Sequence, residues 1–555
     1  MSIQKLLSLL LILSIAIISC NKIGGKNVTA TLIIKNGNIW TGNPDQPKAE
    51  AIAITDDKII SIGTNEEIQK YINEKTKVID AENKFICPGF TDSHLHFLDG
   101  GQRLASVELR DAKTPEEFKQ RIADYIKTIK PGTWIIGGDW DHTNWGGELP
   151  QCSWIDDISP ENPVWISRLD GHMALANSKA MKIAKVDNDI EDIEGGTFVR
   201  DENGKLTGIM KDNSMYAIES IVPDPDDDMK FRYLDAAMKY VNSEGVTSVH
   251  HMGNWDDFRI FELAKEKNLL KVRINAAVPI STHEKLKERK ETKGWGDEWL
   301  KLGGLKGFID GSLGSHTALM KDGFTDAPKD FGLLVTGEEE MFEMVKAGDE
   351  FGGQAVVHAI GDSANNIMLN IYEKVAQENG KRDRRFRIEH AQHLLPEDIS
   401  RFNKLGVIAS MQPYHCIDDG RWAEALIGKE RMKTTHAYKS LLDAKATLAF
   451  GSDWFVAPPT PLEGIYAAVT RATMDHKNPN GWVPEEKISV EEALKAYTST
   501  PAYVSFEEDI KGTLEPGKLA DIVILEKDLF TIPTVDIWDM KVEKTILAGE
   551  IVYER

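Results

Sequence analysis

The sequence predicts an α/β protein: a (β/α)8 TIM barrel with a large insertion after its first strand, plus a small β-sandwich domain formed from both termini. Three observations predict it. First, apolar strand-like runs recur through the middle of the chain. They are FTDSHLHF (90–97), GVTSVHHM (245–252), VRINAAVPI (272–280), LGGLKGFIDG (302–311), GQAVVHAIGD (353–362), RFRIEHAQ (385–392), GVIASMQPY (406–414) and TLAFGSDW (447–454). Second, amphipathic stretches such as 229–243 and 338–351 lie between most of them, which is the alternation of a closed parallel barrel. Third, both ends read as short alternating strands broken by Asn-Gly and Asp-Asp turns: TLIIKNGNIW and KVIDAENKFICPG at one end, GTLEPGKLADIVILEKD and VEKTILAGEIVYER at the other. Neither end alone is long enough for a stable core, so the two are expected to fold together.

At 555 residues the chain exceeds one small core. The expected organisation is a leader over 1–20, a tether over 21–29, a composite sandwich from 30–86 and 512–555, and the barrel over 87–511. The gap of about 98–240 is too long for one crossover and is read as an insertion with short strands of its own, WIIGGDW and PVWISRLDGH. The leader begins with Lys5, continues as LLSLLLILSIAII and ends at Ser19-Cys20. A basic start, a short apolar core and a small residue before the break describe a secretory signal. Ile17-Ile18-Ser19-Cys20 resembles a bacterial lipobox, which implies lipidation of Cys20 and a chain held in the cell envelope by a lipid anchor. An uncleaved membrane anchor is the alternative. The formal net charge of −22 repels phosphate backbones and argues against nucleic acid as a partner. Cys87, Cys152 and Cys416 are widely spaced, with no CxxC, and read as buried free thiols.

The unusual residues fall on the predicted barrel strands. His94 and His96 end the first, Lys306 lies in the fourth, His358 in the fifth, His390 in the sixth and Asp453 in the eighth. Strand C-termini of such a barrel converge on one face, and period two sends His94 and His96 inward together. Imidazole and carboxylate without sulfur suit a divalent metal such as zinc, as one or two ions. Two ions need an anionic bridge, which Lys306 supplies if its amine has reacted with carbon dioxide. Unmodified, it is a cation beside cations.

These residues resemble the amidohydrolase superfamily, and within it the amidohydrolase family 3 branch that includes N-substituted formamide deformylases. The motifs PGFTDSHLHF, DGHMALANSKA, LKGFIDGSLGSHTALM, VVHAIGD, RIEHAQ, GSDWF and GTLEPGKLADIVIL carry the resemblance, in this order, over essentially the whole mature chain. It implies His94 and His96 on one metal with Asp453, His358 and His390 on a second, and carboxylated Lys306 between them. One departure is visible: His316 stands where the family often has arginine, so a substrate contact there is expected to differ.

The implied activity is hydrolysis of a non-peptide amide C–N bond in a small molecule, such as an N-acyl or N-formyl amine. A metal-activated hydroxide attacks the carbonyl carbon, and Asp453 takes a proton and returns it to the leaving nitrogen. A lactonase or ester hydrolase on the same site, and a metal-binding lipoprotein without turnover, are the alternatives. His172 either polarises the substrate carbonyl or caps a loop. Trp140 and Trp145 either wall the pocket or pack. Asp310 and Asp362 either orient ligands or make turns, and His250 and His251 read as structural. Oligomeric state, including a homo-oligomer, is left open.

Overall fold

The computed structural model describes residues 29–168, 173–193, 196–314 and 316–555. The leader, Cys20 and His172 lie outside them. Eight parallel strands form the central sheet in sequential order: Phe90–Leu95, Val246–Met252, Arg273–Pro279, Leu300–Phe308, Gln354–Ala359, Arg387–His390, Ile408–Met411 and Thr447–Phe450. The sheet curls until its ends meet. Leu95 bridges Trp454, the Asp453 amide donates to the His94 carbonyl at 2.7 Å, and the His96 amide donates to the Trp454 carbonyl at 2.6 Å. The (β/α)8 barrel predicted from the sequence is therefore present. Its strands are buried nearly throughout, as parallel strands covered by helices must be.

The sandwich pairs a four-stranded sheet from the N-terminal segment with a six-stranded sheet that mixes both chain ends. Phe85–Pro88 runs antiparallel to Ile522–Leu525, with Cys87 opposite Val523. Between the sheets pack Ile34, Ile52, Ile54, Ile86, Ile522, Ile524 and Ile546, β-branched side chains that suit a pleated surface. The junction with the barrel is tight. Pro88 passes through Gly89 directly into the first barrel strand, and a Cβ on Gly89 would meet Thr247 Oγ1 at 2.2 Å. Beside it, Arg273 of the third barrel strand grips Asp521 with Nε at 2.6 Å and Nη2 at 3.0 Å, both side chains buried.

The insertion is narrower than the 98–240 expected from sequence. Helix Phe97–Ala105 follows the first barrel strand and packs against helix Asp227–Ser243, and both contribute to the barrel core through Phe97, Leu98, Tyr233, Leu234 and Ala237. Gly101 permits this close approach, since a Cβ there would meet the Tyr233 carbonyl oxygen at 2.1 Å. Between the two helices lies a six-stranded sheet, Val107–Glu108 through Leu206–Asp212, with its own core of Phe118, Ile122, Trp140, Ile166, Leu175 and Ile209. Among the described residues, no helix is long and apolar enough to cross a membrane.

Candidate metal centre

The C-terminal ends of the barrel strands open into a cavity of about 470 Å³. His94, His96, Lys306, His358, His390 and Asp453 all line it. His94, His390 and Asp453 bring ligand atoms within 4.8 Å of one another, a spacing that one cation can span. The His94 and His390 rings lie 5.1 Å apart and those of His358 and His390 4.4 Å apart. Lys306 Nζ stands 3.4 Å from His94 Nε2.

Hydrogen bonds behind His94 and His358 set which of their nitrogens faces inward. His94 Nδ1 lies 2.5 Å from Glu389 Oε2, so a neutral imidazole gives its proton there and turns the Nε2 lone pair to the cavity. That lone pair faces Asp453 Oδ1 at 3.3 Å, and His96 Nε2 approaches the same oxygen at 3.5 Å. His358 Nε2 donates to the Gly311 carbonyl at 3.0 Å. His390 Nδ1 is buried with no hydrogen-bond partner. Lone pairs converging on a carboxylate, with an orphaned imidazole nitrogen beside them, are a donor set that fits a divalent cation.

The groups behind the ligands are built as firmly. Glu389 is fully buried and also accepts from Arg387 Nε at 2.7 Å. Burial pushes its carboxyl upward, but the Arg387 guanidinium and His94 outweigh burial and hold it down at about 2. Arg387 in turn donates to the Ser93 carbonyl at 2.6 Å and to Ser410 Oγ at 3.0 Å, tying the sixth strand to the first and seventh. Asp92 Oδ1 accepts the His94 and Ser452 amides at 3.1 and 3.0 Å, clamping the strand ends that carry His94 and Asp453. Asp310 accepts three backbone amides, from Leu319, Ile360 and Gly361, and so shapes the loops around His358. Its burial pushes its carboxyl up to about 7 despite those donors. Burial also lowers the Lys306 amine to about 8, against the upward pull of Glu389 and Asp453.

Other sequence candidates lie elsewhere. Trp140 does not wall the cavity. It is fully buried in the insertion core, with its indole N–H on the Ile166 carbonyl at 2.9 Å; positive φ at Gly137, Gly138 and Asp139 breaks the alternation of its strand just before it. His316 stands outside the cavity lining, with Nε2 against Asp326 at 3.1 Å and its ring edge-on to Phe324 at 4.5 Å. His250 bonds Arg387 at 3.1 Å. His251 accepts the Phe97 amide at 3.0 Å and faces Asp257 at 3.2 Å. Asp362 accepts the Lys321 amide at 2.7 Å. Cys87, Cys152 and Cys416 are buried free thiols.

Sequence reasoning missed Glu389, Arg387 and Asp92. Period two places Arg387 and Glu389 on one face of the sixth strand and would send His390 to the other. His390 instead has φ 73°, and this left-handed turn brings both Glu389 and His390 to the centre. A carboxylate two residues after an arginine within a buried strand is the signal that pointed there.

The profile of the amidohydrolase family matches residues 77–553. The chain is 41% identical to Protein LONG AFTER FAR-RED 3 of Arabidopsis thaliana over 95% of its own length and 92% of the relative's. It is 24% identical to N-substituted formamide deformylase of Arthrobacter pascens, covering 94% of this chain and 98% of that one. Among solved structures, an uncharacterized metal-dependent hydrolase from Pyrococcus furiosus superposes with a TM-score of 0.75 at 29% identity, over 90% of this chain and all of that one. With a family profile spanning both the barrel and the strands that flank it, the chain belongs to the amidohydrolase family.

Proposed function

We propose that this chain is a metal-dependent hydrolase of non-peptide amide C–N bonds, acting on a small N-acyl or N-formyl amine. The observation that carries it is the approach of His94 Nε2 and His96 Nε2 to the same oxygen of Asp453, unfavourable unless a cation or proton lies between them. A divalent ion, zinc by the character of its donors, supplies Lewis acidity and a water of lowered pKa when bound. His94, His96, His358, His390 and Asp453 are the residues that hold it. Lys306 joins them as a carbamate: the ammonium gives up one proton, the freed amine nitrogen attacks the carbon of carbon dioxide, and a second proton leaves, so that a cation is replaced by an anion with two oxygens.

Asp453 is placed for the proton. Burial disfavours its charge, but a proton or cation held between Asp453 and the His94 and His96 imidazoles outweighs burial and keeps the carboxyl well below the usual range. It therefore presents an ionised oxygen at the cavity wall, accepts the proton of the attacking water and delivers it to the departing nitrogen. Glu389 fixes His94 while this happens. Gly314, Leu313 and Phe308 from the fourth strand and its loop enclose the substrate beside Val456 and Phe455. Similarity to N-substituted formamide deformylase supports an N-formyl or other N-acyl amine as the substrate class.

The test is elemental analysis of the purified full-length protein, followed by a side-by-side screen of N-acyl amines and lactones before and after chelation. Bound metal and chelator-sensitive release of an amine are expected. Absence of stoichiometric metal defeats the reading, and turnover confined to lactones replaces it with an esterase.

A further inference from the structure

We propose that Asp419 and Trp422 form a subsite for a positively charged nitrogen on the substrate, so that the preferred amides are those of acylated diamines. The proposal deepens the amide-hydrolase reading and rests on it. Both residues line the same cavity as His94, His390 and Asp453. Asp419 is the last residue of helix Pro413–Asp419, which follows the seventh barrel strand, and its charge sits where the helix carbonyl ends oppose it. Its side chain is only 15% exposed. A carboxylate in that position is costly unless something compensates it.

The compensation within the chain is incomplete. Gln392 donates its amide to Asp419 Oδ2 at 2.7 Å. His436 Nε2 lies 3.8 Å from the same oxygen, beyond hydrogen-bond reach, and is buried with no partner. Among the described residues no lysine or arginine pairs with Asp419. The neighbouring Asp418 is engaged by Arg421. Burial pushes the Asp419 carboxyl up to about 6, because the nearby His415 ring, the Gln392 amide and Arg421 favour its charge without offsetting that burial.

The surroundings hold this carboxylate in place. Arg471, fully buried, donates to the His436 carbonyl at 2.8 Å and the Trp482 carbonyl at 2.6 Å, and the His436 amide donates to the Gln392 carbonyl at 2.7 Å. Gln392, two residues beyond His390, thus ties Asp419 to the strand that carries the metal ligand. Trp422 adds an aromatic surface, and a carboxylate beside an indole is a pairing that receives ammonium groups. Leu313, Phe308 and Val456 supply apolar wall for an alkyl spacer. Among the described residues lining the cavity Lys306 is the one lysine or arginine, and it belongs to the metal centre. A substrate with an anionic tail finds no counter-charge there.

The experiment compares N-formyl-1,5-diaminopentane with N-formylpentylamine, which has a similar spacer but lacks the ammonium. Metal-loaded wild type, Asp419→Asn, Asp419→Glu and Trp422→Leu are assayed, with metal content measured for each. Wild type is expected to favour the ammonium compound in kcat/KM. In Asp419→Asn that preference falls by about tenfold to a hundredfold through KM, the range for a hydrogen bond to a charged group. Asp419→Glu retains part of it, and metal content does not change. An equal loss on both compounds, or an unaltered preference, overturns the subsite. If wild type hydrolyses neither, the amide reading fails, and calorimetric binding of the two compounds decides the subsite separately. Tighter binding of the ammonium compound that Asp419→Asn abolishes supports it, and equal affinities overturn it.

Discussion

Glu389 touches no substrate, yet it determines what His94 offers the cavity. Its carboxylate holds the Nδ1 proton and leaves Nε2 as the ligand. Glu389→Gln keeps the shape and removes the charge. Metal affinity is expected to fall by about 10- to 100-fold, the range for partners behind a metal-ligating histidine, as read by competition with a chromophoric chelator. Lys306 tests the bridge. Its amine is buried and 3.4 Å from His94 Nε2. Lys306→Ala is expected to lower metal content from two ions per chain toward one or none, and a short carboxylic acid or bicarbonate to restore part of the activity. Two ions and full turnover in that variant eliminate the carbamate.

The elements matter most where the first and eighth barrel strands meet. Gly451 follows the eighth strand, and a Cβ there would meet the His94 amide nitrogen at 2.4 Å and Asp92 Oδ1 at 2.9 Å. Gly451→Ala is expected to cost about 1–3 kcal/mol in denaturant unfolding, as overpacking does, and to lower metal content because His94 and Asp453 are displaced together. Unaltered stability and metal content would show that this contact relaxes freely. The barrel strands are legible in the sequence because each is a short, largely apolar run, as burial on both faces demands. His94, His96 and Asp453 stand out in the sequence because imidazoles and a carboxylate lie within or just beyond those apolar runs. Glu389 is marked only by a carboxylate two residues after an arginine in a buried strand, and His390 reaches the centre through a left-handed turn that no alternation rule anticipates. Trp140 is ambiguous in sequence because a large aromatic beside glycines suits a cavity wall and a core equally. Here the separate core of the insertion claims it.

At the scale of the whole molecule, the barrel and the sandwich share a buried ion pair. Arg273 and Asp521 are 1% and 7% exposed, and Asp521 also accepts the Ala548 amide at 2.9 Å. Asp521→Ala leaves the guanidinium without its counter-charge and is expected to destabilise the protein by about 3–5 kcal/mol in equilibrium unfolding. A loss below about 1 kcal/mol would mean that water or the Trp299 face replaces the carboxylate. The anchor proposed at Cys20 is tested on the full chain. Cys20→Ser is expected to move the protein from the membrane to the soluble fraction or to block processing, and unchanged fractionation with unchanged mass counts against it. The joining of both chain ends in one sandwich also constrains how the protein is made. Asn38 and Asp528, 490 positions apart, share a hydrogen bond of 2.8 Å. At roughly 5–20 residues per second a ribosome takes tens of seconds to supply the second after the first. For most of that interval Phe85–Pro88 has been made without the strand that will cover its edge. The nascent chain must carry that open edge for most of its synthesis, so a strand made near the end of translation protects one made near its start from aggregation.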